Sequence, residues 1–242
     1  MNYVQRYRQG RLEYFKARPD PSYWEAVWSR YDLLEELKGG DHFIGTVIPQ
    51  FSSHSDRILE GGCGACSFVA AMQRAGYRSI GVDFAVQTLR AVKEIAPELK
   101  LCSADLTALP FEDASFDAYW SIGVIEHFRE GYGALLRECR RVLRDGGIAY
   151  ISFPYMNLLR KLKGFLGRYD QEVPQDAEFY QYALNHREVR RTWRSEGFEC
   201  CGRVYMFPHF DQRLLSKRLI RWLADPWHHH SMMLIFRKNG SP

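Results

Sequence analysis

Hydrophobic positions along the chain change rhythm twice. In the first fifty residues Tyr23, Trp24, Val27, Trp28, Tyr31 and Leu34 recur at threes and fours, as one face of a helix requires. A second helix is expected from Asp41 to Gln50, with Asp41 available as N-cap and Pro49 near its end, followed by a polar loop at Ser52–Ser55. Residues 1–55 therefore read as a helical N-terminal cap. From Arg57 onward short apolar runs alternate with amphipathic segments. Strands are expected at Arg57–Glu60, Ser79–Asp83, Lys100–Ala104, Phe116–Ile122 and Ile148–Pro154. Helices fall between them at Ser67–Ala75, closed by Gly76, at Val86–Ala96, closed by Pro97, and at Gly133–Leu143. Such alternation gives an α/β fold, a mostly parallel sheet with helices on both faces. Residues 155–185 break the rhythm with Gly164, Gly167, Pro174 and many aromatics, and read as an insertion after the fifth strand, over the sheet edge. A helix near His186–Glu196 and apolar runs at Val204–Phe207 and Met232–Phe236 complete the sheet over 186–242. The expectation is one domain over 1–242, with its α/β core at 56–154.

Composition narrows the class. The chain has 242 residues, 46% hydrophobic and 26% charged, enough apolar material for a full core. Lys+Arg 33 against Asp+Glu 29 leaves a net charge of +4, too small to call for a nucleic-acid partner. No apolar run approaches the ~18 residues of a membrane span, and the first fifteen residues lack a secretory apolar stretch, so a cytoplasmic location is expected. In that compartment the six cysteines stay as thiols. Oligomeric state is not legible here.

In an open parallel sheet ligands bind beyond the carboxyl ends of the strands, so strand ends carry the chemistry. The first strand ends in Glu60-Gly61-Gly62-Cys63-Gly64-Ala65-Cys66, a glycine-rich turn that exposes backbone and a helix start to a ligand. Alone, that turn serves a nicotinamide cofactor equally well, or no ligand at all. The second strand ends in Asp83, where ribose hydroxyls can donate to a carboxylate, and the third in Ala104-Asp105-Leu106.

The ordered run RILEGGCGACS, SIGVDF, SADLTALPFEDASFDAYWS, GVIEHF and LLRECRRVLRDGGIAYISFPY, from Arg57 to about Pro154, resembles the class I S-adenosylmethionine-dependent methyltransferases, in their small-molecule branch. The resemblance implies a Rossmann-like sheet with its last strand antiparallel, and S-adenosyl-L-methionine as cofactor. It implies that Glu60 and the backbone of Gly61, Gly62, Cys63 and Gly64 hold the methionyl amine and carboxylate. Asp83, with Phe84 beside it, would take the ribose; Asp105, between Ala104 and Leu106, the adenine amino group; Ser121, Ile122 and Gly123 would line the methyl. A sulfonium cofactor without pyrophosphate tolerates Glu60, which a dinucleotide's negative charge would not. Cys66 stands where the family has a third glycine.

On the acceptor side Glu126-His127 follows the fourth strand, and His127 is either the candidate general base or a residue that serves packing and cofactor shaping. The similar ubiquinone-type O-methyltransferases bind a metal with an upstream Glu, but the matching residue here is Gly123, so no metal is expected. Ser121-Ile122-Gly123-Val124 is not the Asn/Asp-Pro-Pro-aromatic run that clamps a planar amino group, which argues against DNA bases. Glu126, Tyr155, Tyr180 and Tyr182 are the expected acceptor contacts, aromatic walls suited to an apolar or ring-bearing molecule. Cys63 and Cys66 lie inside the glycine turn rather than in a redox fold, and the adjacent His228, His229 and His230 lack accompanying ligands. The Trp24, Trp28, Tyr31 stripe reads as core that can reach the cofactor. Two apolar and basic segments, Leu158–Leu166 and Arg213–Trp222, read as solvated helix faces or, alternatively, as a weak peripheral contact with anionic lipid or a phosphorylated substrate. The function expected is methyl transfer to an oxygen or nitrogen of a small molecule: a sugar, a lipid-linked compound or a secondary metabolite. The rivals are a non-catalytic S-adenosylmethionine-binding scaffold and an NAD-dependent oxidoreductase, which leaves Glu60 and Asp105 without roles.

Overall fold

Two sheets share the chain in the computed structural model, which describes residues 4–17, 23–169, 172–208 and 229–240. Strands β1 (Val4–Arg8) and β2 (Arg11–Ala17) form a hairpin closed by Gln9 and Gly10, both at positive φ (51° and 78°), as a two-residue hairpin turn requires. Three short helices follow, α1 (Tyr23–Trp28), α2 (Leu33–Glu36) and α3 (Asp41–Thr46). Next come β3 (Arg57–Gly61), α4 (Ser67–Arg74), β4 (Arg78–Asp83), α5 (Val86–Ile95) and β5 (Leu101–Ser103). Then β6 (Phe116–Ile122), α6 (Gly133–Val142) and β7 (Leu143–Pro154) precede α7 (Leu158–Phe165) and β8 (Ala177–Ala183). The chain closes with α8 (His186–Ser195), β9 (Phe198–Pro208) and β10 (His229–Lys238).

The expected helical cap is thus helical only from Tyr23. Residues 4–17 pair as strands because Arg11-Leu12-Glu13-Tyr14 alternates with period two, burying Leu12 and Tyr14. A bulge in the pairing with β8, between Tyr14 and Phe15, lets Phe15 turn inward as well. The cap of α3 is Gly40 at φ 87° rather than Asp41, whose carboxylate instead pairs with Arg74 at 2.8 Å.

The seven-stranded sheet has the order β5-β4-β3-β6-β7-β10-β9. Strands β3 to β7 are parallel, and β10 runs antiparallel to both β7 and β9, as the resemblance implies. Alternate residues fill the two faces. Leu59 and Tyr119 pack against Leu135, Leu136 and Trp193 on one side, whereas Ile58 and Trp120 pack against Ile44, Ile48 and Met72 on the other. Chain order reverses between β3 and β6, and the crevice beyond their carboxyl ends is the ligand position of this topology.

The segment 155–185 does more than cover an edge. Its strand β8 joins the N-terminal hairpin in a second sheet of order β1-β2-β8, and Tyr182 Oη donates to Arg129 O at 3.2 Å, tying that sheet to the turn after β6.

At the far side of the main sheet Phe236 of β10 is fully buried and stacked on Trp193 of α8, with centroids 4.6 Å apart. Phe236→Ala should cost about 3–5 kcal/mol. A urea unfolding midpoint unchanged in that variant would contradict this packing.

Candidate functional site

Between β3 and α4 the backbone enters the left-handed region three times, at Gly62 (φ 78°), Gly64 (φ 48°) and Cys66 (φ 64°). Space as well as dihedral demands glycine at the first two. A Cβ at Gly62 would lie 2.4 Å from Val124 Cγ2, and one at Gly64 2.3 Å from Trp28 Cζ2. Gly61 is extended, yet a Cβ there would lie 2.1 Å from Tyr119 Oη. Cys66 bears its side chain in the same backbone region at a cost of about 1–2 kcal/mol. The turn is tied to β4: the amides of Gly62 and Cys63 donate to Val82 O at 2.8 and 3.0 Å, and Gly64 N donates to Asp83 Oδ2 at 2.8 Å.

Two carboxyl groups end buried beside this turn. Glu60 is 2% exposed, and its Oε2 has no hydrogen-bond partner among the described residues. Burial holds its pKa well above the carboxylate range, and the neighbouring Cys66 and Asp83 push the same way. Asp83 is 6% exposed, and its second oxygen, Oδ1, accepts from Ala85 N at 2.9 Å. Burial raises its pKa too, against the pull of the backbone N–H groups it accepts from. Three backbone N–H groups, of Ala85, Gly64 and Phe84, act on a carboxylate with about four acceptor positions, which leaves room for a further donor.

The remaining cofactor-side residues spread out. Asp105 is exposed and accepts from Thr107 N and Oγ1 through one oxygen, both at 2.8 Å. Ala104 N donates to Asp83 O at 3.2 Å, Leu106 is buried beside Gly62, and the Phe84 ring is largely exposed. Ser121 Oγ donates to Gly61 O at 2.9 Å, and Ile122 packs in the core cluster of Trp120.

Beyond β6, Gly123 (φ 70°) leads into a 3₁₀ turn, Ile125–His127, that carries the acceptor-side pair. Glu126 is 2% exposed, its Oε2 is unpartnered among the described residues, and burial pushes its pKa up to about 8. His127 Nδ1 lies 2.7 Å from Tyr180 O. A carbonyl only accepts, so Nδ1 carries the hydrogen and Nε2 keeps its lone pair. Burial lowers the imidazole to about 4, which leaves it neutral at pH 7. Its ring meets Trp24 at 4.8 Å and Tyr180 at 5.0 Å, while Lys16 Nζ lies 3.6 Å from the Tyr180 centroid and 4.7 Å from that of Tyr23. Of the three tyrosines expected here, Tyr180 alone meets His127; Tyr155 and Tyr182, 3% and 9% exposed, pack in the core.

The N-terminal helix supplies contacts that the sequence does not announce. The Glu25 carboxylate accepts from Gln87 N and Thr88 N at 2.9 Å and from Thr88 Oγ1 at 2.8 Å. It thereby caps α5, whose own N-cap, Ala85, has no side-chain bond. With Trp28 on Gly64, α1 is fixed to both cofactor-side strand ends. In the sequence Glu25 is only a polar position on a helix, and Lys16 one charge among many.

Burial pushes the Cys63 thiol well up, opposite to a reactive thiolate, and its Sγ lies 3.7 Å from that of Cys66. Among the described residues no three His, Cys, Asp or Glu side chains converge as a metal site. His228 and Arg213–Trp222 lie outside the described residues, and His230 meets Arg160 at 3.0 Å.

Glu126 also sets a pH dependence of stability. Its folded-state pKa of about 8 lies above the ordinary 4.5, so between those values the folded state keeps a proton that the unfolded state releases. Stability from this group falls as pH rises through that window. Thermal unfolding of Glu126→Gln should lose less stability than the parent between these pH values; identical slopes would contradict the burial of an uncompensated carboxyl group.

Residues 59–151 match the family model of a methyltransferase domain. The chain is 30% identical over 180 residues to a probable S-adenosylmethionine-dependent methyltransferase of Mycolicibacterium smegmatis, covering 70% of this chain and 66% of that protein, just under two thirds of the relative's own length. It is 31% identical over 224 residues to a ubiquinone/menaquinone biosynthesis C-methyltransferase of Bradyrhizobium diazoefficiens, covering 81% of this chain and 86% of that one. The fold matches the crystal structure of an S-adenosylmethionine-dependent methyltransferase from Methanosarcina mazei with a TM-score of 0.63 at 17% identity, over 81% of this chain and 98% of that one. With the glycine turn and strand-end carboxylates in the order this family uses, the chain belongs to the class I S-adenosylmethionine-dependent methyltransferases, whose cofactor is S-adenosylmethionine.

Proposed function

We propose that this protein transfers the methyl group of S-adenosylmethionine to an oxygen or nitrogen of a small-molecule acceptor. The observation that carries the reading is Glu60: a buried carboxyl oxygen without a hydrogen-bond partner among the described residues, at the start of the glycine turn. Leaving such an atom unpaired costs about 1–3 kcal/mol, which an arriving donor recovers. The methionyl ammonium is such a donor, and its positive charge favours the ionised form of Glu60, so these residues fit the cofactor. Asp83 accepts from the ribose hydroxyls, Asp105 from the adenine amino group, and the backbone of Gly61–Gly64 receives the methionyl end.

When bound, S-adenosylmethionine supplies a methyl carbon already activated by a sulfonium leaving group, so the enzyme's task is alignment and removal of one proton. His127 takes that role. Its Nδ1–H bond to the Tyr180 carbonyl fixes the ring and leaves Nε2 as the proton acceptor. The aromatic rings of Tyr23, Trp24 and Tyr180 around it suit an apolar or ring-bearing acceptor. A carbon acceptor is the second reading, favoured by the Bradyrhizobium relative, which is named a C-methyltransferase and is covered over 86% of its length. A cytoplasmic location accords with six free cysteines.

The test is turnover. Incubation with S-adenosylmethionine and pooled metabolites should release S-adenosylhomocysteine and yield a product one methylene heavier, whose NMR spectrum identifies the atom methylated. Cofactor binding without turnover on any pool would leave the scaffold reading in place. On the substrate so found, His127→Ala should lower kcat by about 10²–10⁴-fold with S-adenosylhomocysteine affinity unchanged. Because the folded imidazole loses its proton near 4, the parent's kcat/KM should show no inflection at the ordinary histidine value. Near-normal turnover in the variant would assign His127 to packing alone.

A further inference from the structure

Helix α7 turns its apolar side outward. Its buried position is Gly164, where a Cβ would lie 2.9 Å from the Tyr7 ring, so the helix rests on β1 through that glycine. On the neighbouring inward side Arg160 is spent on Tyr155 O at 2.7 Å, His230 O at 2.9 Å and His230 Nδ1 at 3.0 Å. Away from that contact stand Leu158, Leu159, Leu162, Phe165 and Leu166, exposed by 40, 37, 47, 86 and 58%. At about 100° per residue they occupy one arc of about 120°, with Lys161 at one margin and Lys163 at the other. A contiguous exposed apolar patch on a soluble protein marks a contact surface.

Charge decides what the contact is. No acidic residue occurs from Met156 to Tyr169, a stretch that holds Arg160, Lys161, Lys163 and Arg168. Lys163 and Arg168 are exposed and form no ion pair among the described residues. Lys161 also lies near the start of α8, where Arg203, Arg187 and Arg190 gather around His186. A second copy of this chain is a poor partner, because a two-fold contact through α7 brings the same uncompensated cations together. An anionic lipid surface satisfies both features, taking the apolar arc among its acyl chains while the lysine stems reach back to the phosphates. No helix among the described residues is long and apolar enough to span a bilayer, so the contact is peripheral.

We propose that α7 docks this protein on anionic bilayers, lying in the interface with Phe165 and its four leucines inserted and Lys161, Lys163 and Arg168 on the headgroup phosphates. The helix follows β7 directly. This inference does not depend on the acceptor proposed above.

Flotation of the full chain with extruded vesicles tests it. The protein should float with phosphatidylcholine vesicles containing phosphatidylglycerol at about 150 mM salt, less so as salt rises, and not with phosphatidylcholine alone. Phe165→Ser with Leu162→Ser should weaken binding at least about tenfold. Lys161→Glu with Lys163→Glu should weaken it by about fivefold for each lysine. All four positions lie at the surface of α7, so circular dichroism and S-adenosylhomocysteine affinity should stay at parent values, which separates loss of docking from loss of fold or cofactor site. Three outcomes overturn the proposal: no flotation with anionic vesicles, flotation that both variants retain, or a dimer in light scattering that the apolar variant abolishes.

Discussion

The carboxylate of Asp83 accepting from the Gly64 amide is the bond on which the site depends. It joins the end of β4 to the glycine turn at the end of β3, and so sets these two strand ends against each other. The turn can close only because Gly62 and Gly64 accept positive φ and leave room for Val124 and Trp28, while Gly61 leaves room for Tyr119. Residues from β6, the following turn and the N-terminal helix therefore meet at one backbone segment. Packing explains why the glycines are needed.

Electrostatics at this end of the sheet follow from burial rather than from net charge. Glu60 and Glu126 are held toward their neutral forms, and His127 is held neutral as well. A site lined with acids thus carries less negative charge than the sequence suggests until a cation arrives.

Much of this was legible in the residues. The strand and helix alternation from Arg57 to Pro154 predicts the elements to within a few positions because each buries a face with clean periodicity. The glycine turn and Asp83 were legible for the same reason: strand ends in a parallel sheet have few alternative uses. The hairpin at residues 4–17 was masked by neighbouring aromatics with helical spacing, and its partner, β8, lies more than 150 residues away. Glu25 as the cap of α5, Trp28 on Gly64 and Lys16 against Tyr180 are likewise products of tertiary approach. Tyr155 and Tyr182 show the converse, aromatic residues near a strand end that folding spends on the core.

Calorimetric titration with S-adenosylhomocysteine tests the central claim most directly. Saturable binding with NADH silent, and an affinity lowered about tenfold or more in Asp83→Ala and in Glu60→Ala, are the results expected if the two buried carboxyl groups hold the cofactor. Binding of NADH alone, or S-adenosylhomocysteine affinity unchanged in Asp83→Ala, would contradict it.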